Sequence, residues 1–224
     1  GRVRLWLRNL HVRRSQPYRT DLQVLSEIRA HDAQDVGQIW ERHRSAFSLQ
    51  RISEEFFRNY QEVFSTIRRH LAQTHRQNDD RWAYQYAHQL LNRIMFLYYI
   101  ARKGWLLGPG GKPSRDFIRD FWDAYKKSGE KDNFHQKWLN VLFFEAFNGS
   151  KRKRGPVPTK FPNWLVNSLK QAPFLNGGLY TWHPELDASL QKPIPDEFFV
   201  LLFEQWADGT RPGFFERYNF TVVE

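Results

Sequence analysis

Between Arg93 and Arg102 the chain runs through eight uncharged residues, IMFLYYIA, four of them large aromatics or methionine. An acid stands well ahead of this run, Asp79 or Asp80, and can cap a helix there. Arg102 and Lys103 suit the negative end of that helix, and Gly104 stops it. From 94 to 101 every side of such a helix is apolar or aromatic, so neighbouring elements must cover it all round. A bilayer crossing takes roughly 20 apolar residues, and this run meets an arginine at both ends after eight. The segment therefore reads as the buried strut of a globular helical fold, not as a membrane helix.

The flanking sequence supplies the cover. From Ser53, with Glu54 and Glu55 in a positive first turn, Phe56, Tyr60, Val63, Ile67 and Leu71 recur at spacings of three and four. A shorter helix behind Thr20 or Asp21 places Leu22, Leu25 and Ile28 on one face. Ser114 is read as the cap of a helix with Phe117, Ile118, Phe121, Trp122 and Tyr125 inward and Gly129 at its end, and Asp132 as the cap of one presenting Phe134, Trp138, Leu142 and Phe147. A short helix is expected over 164–170, a turn at PFLNGGLY, and a last helix capped by Asp196. RVRLWLRNL at the start alternates with a period of two, which predicts a strand with one basic face, and FERYNFTVVE predicts a β-rich tail. The expected fold class is mainly α: a multi-helix bundle around a central buried helix at about 79–103, with a short N-terminal strand and a β-rich C-terminal tail. Residues 1–224 form one region, with one candidate sub-boundary at the proline-rich, basic loop 148–162. The strand has no obvious hairpin partner, which leads to the expectation that the chain is a piece of a larger polypeptide.

Charge narrows the partners. The formal net charge is +10, yet residues 171–224 hold three Lys/Arg against eight Asp/Glu, which leaves about +15 upstream. The first 20 residues alone hold six arginines and no acid. Such asymmetry fits a polyanionic neighbour, nucleic acid first, or an acidic sibling domain. Lys151, Arg152, Lys153 and Arg154 form one candidate phosphate-contacting set, in a loop, and Arg2, Arg4 and Arg8 form another. The absence of cysteine excludes disulfides and thiolate metal sites, and no signal peptide is evident, so a cytoplasmic setting is expected.

Catalytic apparatus is not legible. No Asp/Glu-x-Lys of the common metal-dependent nuclease type occurs, and no Pro-Pro pair that an adenine methyltransferase turn would need. GPGG at 108–111 follows a helix, which makes it a turn and not a phosphate cradle. No His-x-x-x-His occurs, and His70 and His75 point to different sides of a helix. Asp116, Asp120 and Asp123 share a helical flank with Arg115 and Arg119 interleaved, which reads as a solvated, charge-laced face. No catalytic, cofactor-binding or metal-binding residue is assigned.

With PYRTDLQVLSEI, FFRNYQEVFSTI, LLNRIMFLYYIARKGWL, PFLNGGLY and YNFTVVE in that order, the chain resembles the helical connector region of type IIG-like fused restriction–modification enzymes. These carry an endonuclease, a helical connector and an adenine-specific DNA methyltransferase on one polypeptide. The resemblance covers about Arg4 to Glu224. It implies that the nuclease motif lies ahead of this region and the cofactor loop and Pro-Pro turn after it. S-adenosylmethionine and magnesium then belong to the parent enzyme, none to this chain, and the implied partners are DNA and the flanking nuclease and methyltransferase domains. The implied function is a noncatalytic spacer that positions DNA in a bacterial or archaeal cytoplasm. Two alternatives stay open: an autonomous DNA-binding module, and a region of a related phage-defence adenine methyltransferase.

Overall fold

In the computed structural model of the protein, residues 19–28, 35–46, 49–74, 79–148, 160–175, 177–190, 192–205 and 212–218 are described. Helices dominate: α1 (Arg19–Ile28), α2 (Val36–Ala46), α3 (Leu49–Thr74), α4 (Asp80–Arg102) and α5 (Phe117–Lys127). Two π-helical segments follow, Phe134–Leu139 and Val141–Ala146, then α6 (Asn163–Gln171), a 3-10 turn Gly178–Tyr180, α7 (Pro184–Asp187), α8 (Asp196–Phe203) and α9 (Phe214–Arg217). No strand forms among the described residues. Extended pairing is limited to isolated bridges at Leu107–Pro113 and Gln205–Pro212. The predicted N-terminal strand lies outside the described residues. Of the predicted β-rich tail, Phe214–Arg217 is a helical turn and residues 219–224 lie outside the described set. That part of the expectation is corrected: Phe214 and Phe215 bury their rings against α3 and α4, which a short helical turn achieves without a partner strand.

The central helix forms where its capping residues predict. The Asp79 carboxylate accepts the Trp82 backbone N–H at 3.0 Å, and Gly104 leaves the helix at φ +74, a conformation open to glycine at little cost. α3 packs antiparallel along α4, since Arg68 meets Asp80 while Phe64 meets Tyr84. α5, the 3-10 turn and α7 close other sides. Ala83, Ala87, Leu91, Ile94, Leu97 and Ile100 are fully buried.

One expectation about α4 needs correction. Its 94–101 stretch is not covered all round, because Phe96 remains 37% exposed. The interior face also carries a charge. Arg93 falls on the ridge of Tyr86, Leu90, Leu97 and Ile100, seven, three, four and seven residues away, and is 2% exposed with them inside the core.

Several predicted caps do other work. α3 begins at Leu49, so Ser53 is interior. In α1 it is Val24 that is buried, while Leu22 and Leu25 are 49% and 40% exposed. The Ser114 hydroxyl, three residues before α5 opens, accepts from Asp116 N and donates to Asp120. Asp132 sits at φ +52 and exchanges bonds with Asp196: each carboxylate accepts the other's backbone N–H at 2.9 Å. Asp196 also accepts from the Tyr125 hydroxyl, tying α5 to α8. Phe134 then enters a ring cluster, with Trp122 at 4.8 Å, Phe199 at 4.9 Å, Tyr125 at 5.1 Å and Phe121 at 5.3 Å. The inward set Phe134, Trp138, Leu142 and Phe147 is as the spacing predicts, although carried on π-helical turns.

Candidate functional site

The one buried concentration of polar chemistry among the described residues lies where α4 meets the segment from Gly178 to Asp187. Arg93 donates from Nη1 to Asp187 Oδ1 at 2.6 Å and from Nη2 to Oδ2 at 3.0 Å, a two-pronged pair with both side chains 2% exposed. Its Nε donates to the Leu179 carbonyl at 2.8 Å and Nη2 also to the Thr181 carbonyl at 3.2 Å. Asp187 accepts the His183 backbone N–H at 2.8 Å, and the Tyr180 hydroxyl donates to the Arg93 carbonyl at 2.9 Å. The faces of Phe143 and Phe144 lie against the guanidinium. Burial pushes the Tyr180 phenol upward, holding it neutral as a donor.

Two turns away on α4, the Tyr86 hydroxyl shares a 3.1 Å hydrogen bond with His135 Nε2, and both side chains are buried. Desolvation, with a further push from the Arg93 charge, lowers His135 to about 3, so it is neutral at physiological pH. His135 Nδ1 is buried without a partner. This cluster is a clasp. Arg93 makes four hydrogen bonds, to two carbonyls and a carboxylate, which fixes the 178–187 segment on α4.

The predicted nucleic-acid residues Lys151, Arg152, Lys153, Arg154, Arg2, Arg4 and Arg8 all lie outside the described residues. The three carboxylates of the α5 region do not converge on a common point. Asp116 faces Arg102 at 3.4 Å, Asp123 faces Lys126 at 3.1 Å, and Asp120 accepts from Ser114. Burial raises the Asp120 carboxyl. Arg119 reaches across to Glu216 instead. No group of three or more His, Asp or Glu placed to hold a metal ion occurs among the described residues, and no described helix is long and apolar enough to cross a membrane.

The Arg93–Asp187 clasp was missed in the sequence because Arg93 reads as the boundary of the apolar run. Its signal is present: every residue on its own helical ridge is apolar or aromatic, a place where an arginine needs a buried acid. Which acid, 94 positions away, is not written in local pattern.

Comparison with known proteins adds one relation. Over 138 residues, 62% of this chain, it is 28% identical to a protein of Methanocaldococcus jannaschii named "putative type II restriction enzyme and methyltransferase". The similarity is to a restriction–modification protein. The match covers 10% of that protein's length. No protein-family model matches the chain, and no solved structure matches it.

Proposed function

We propose that this chain is a noncatalytic helical connector of a restriction–modification polypeptide, holding DNA in place between a nuclease and an adenine-specific methyltransferase. The observation that carries the reading is the clasped central helix. A 23-residue rod pinned along its length by α3, α5 and the Arg93–Asp187 pair resists bending, and rigidity is what a polypeptide with two remote activities needs between them. Similarity to a protein named for both activities supports the same reading. In this account S-adenosylmethionine and magnesium are bound by the flanking domains, and the setting is a bacterial or archaeal cytoplasm. The basic upstream part of the chain, with Lys151, Arg152, Lys153 and Arg154 and with Arg2, Arg4 and Arg8, supplies phosphate contacts that position without specifying sequence.

The purified chain is expected to bind duplex DNA in a salt-dependent manner and neither to cleave nor to methylate it when given magnesium and S-adenosylmethionine. Replacing residues 151–154 with alanine should flatten the dependence of log affinity on log salt by up to about 0.9 for each phosphate that is no longer neutralised. A nick, a methyl transfer or the absence of duplex binding would overturn the assignment, and an unchanged slope would take residues 151–154 out of it.

A further inference from the structure

Two exposed apolar patches differ in chemistry. On α1 and α2 the exposed residues are mainly aliphatic, Leu22, Leu25, Val36 and Ile39 with Trp40. On α3 and α4 they are rings: Phe57 at 66%, Tyr84 at 49% and Phe96 at 37% exposure. Phe57, Gln61, Phe64 and Arg68 fall on one ridge of α3, and Tyr84, His88, Asn92, Phe96, Tyr99 and Lys103 on one flank of α4. These flanks adjoin, since Phe64 meets Tyr84 edge-on at 5.1 Å and Arg68 lies 5.7 Å from the same ring.

Along the α4 flank the rings are arranged as platforms. Tyr84 and His88 are parallel within 3° at 6.4 Å, Phe96 stacks on Tyr99 at 5.7 Å, and Lys103 Nζ lies 5.9 Å from the Tyr99 ring. Between Tyr84 and Lys103 the helix advances about 28 Å. Amides stand among the rings: Gln85, Gln89 and Asn92 on α4 and Gln61 on α3. α4 has a single acid, Asp80 at its first position, and Arg68 engages it. Glu54, one turn before Phe57, is the acid at the other end of the α3 ridge, while Arg81 is exposed at the first turn of α4.

We propose that this α3–α4 face binds an unpaired stretch of DNA. Ring faces accept any base by stacking, amide groups hydrogen-bond base edges, and an acid-poor flank with cations at both ends tolerates the phosphate backbone. Charge favours a polyanion as occupant: past Asp80 the flank of α4 carries no acid, and Arg81 and Lys103 stand near its two ends. The inference rests on the DNA-positioning reading for the choice of DNA, and it assigns a place for a strand that has left the duplex.

The test is fluorescence anisotropy of a labelled oligothymidylate of about 20 nucleotides, with a duplex of the same length measured in parallel. Tyr84→Ala and Phe96→Ala are each expected to weaken oligothymidylate binding about fivefold to a hundredfold while leaving duplex binding unchanged, and Tyr84→Trp is expected to restore it. Circular dichroism checks that the variants keep their helices. Iodouracil placed in the oligonucleotide gives a readout independent of folding, since photocrosslinks should map to peptides carrying Phe57, Tyr84 or Phe96. Oligothymidylate binding that ignores both alanine variants, with crosslinks elsewhere, overturns this inference and leaves the connector reading standing. Binding of neither oligonucleotide by the wild-type chain overturns both.

Discussion

Replacing Asp187 with alanine should cost far more than its four-residue helix suggests. The substitution removes the carboxylate from a guanidinium that is 2% exposed and leaves two carbonyls, of Leu179 and Thr181, as its remaining acceptors. An uncompensated buried charge costs about 3–5 kcal/mol, and the orphaned His183 N–H adds roughly 1 kcal/mol. Domains of this size are stable by about 5–15 kcal/mol, so Asp187→Ala should consume roughly a quarter or more of the total. Urea unfolding followed by tryptophan emission measures it, and the midpoint of thermal unfolding should fall by roughly 8–24 °C. The double variant Arg93→Met, Asp187→Ala separates charge from packing. With no charge left to strand, its loss should fall short of the sum of the singles by at least about 2 kcal/mol. A loss under about 1 kcal/mol for Asp187→Ala, or strict additivity in the cycle, would show that the clasp does not hold the 178–187 segment in the way the geometry implies. The pair is read as setting register more than adding net stability, because a well-packed apolar replacement of both partners is often neutral.

Two further outcomes are expected. His135 is neutral and buried in the folded chain, with its pKa pushed down to about 3 from an ordinary 6.5. Below pH 6.5 the unfolded chain therefore takes up a proton that the folded chain refuses until about 3. Stability is full above pH 6.5 and falls as pH drops through that window, with a slope approaching about 1.4 kcal/mol per pH unit; in His135→Gln the slope of stability against pH should be shallower by that amount, and an equal slope would refute it. Gly213→Ala should destabilise by about 1–3 kcal/mol in the same urea assay. An added Cβ would stand 2.7 Å from Glu204 N and 2.8 Å from the Leu202 carbonyl, both backbone atoms that cannot turn aside.

The amino-acid sequence by itself determined what depends on neighbours a few residues away. The four-residue recurrence of Val63, Ile67 and Leu71 put them in the core, and Asp79, Arg102 and Gly104 bounded α4 because capping and helix-end electrostatics are local. Pattern also predicted the buried faces of α5 and of the Phe134–Phe147 stretch. It passed over α2, whose side chains from Val36 to His43 are all exposed, so that no apolar stripe marks it. Ser114, Asp132 and Asp196 looked like caps; Ser114 bonds locally to Asp116 and Asp120, while Asp132 and Asp196 bond to each other across the fold, since an oxygen close to a helix start can accept from whatever backbone N–H arrives there. Which charge is buried was likewise a tertiary decision. Arg93 read as a run boundary until the chain returns to α4 and removes it and Asp187 from water together. The exposed rings of α3 and α4 belong to the same category: helical period places them on one flank, but whether that flank is covered depends on how the rest of the chain packs, and among the described residues it leaves Phe57, Tyr84 and Phe96 exposed to solvent.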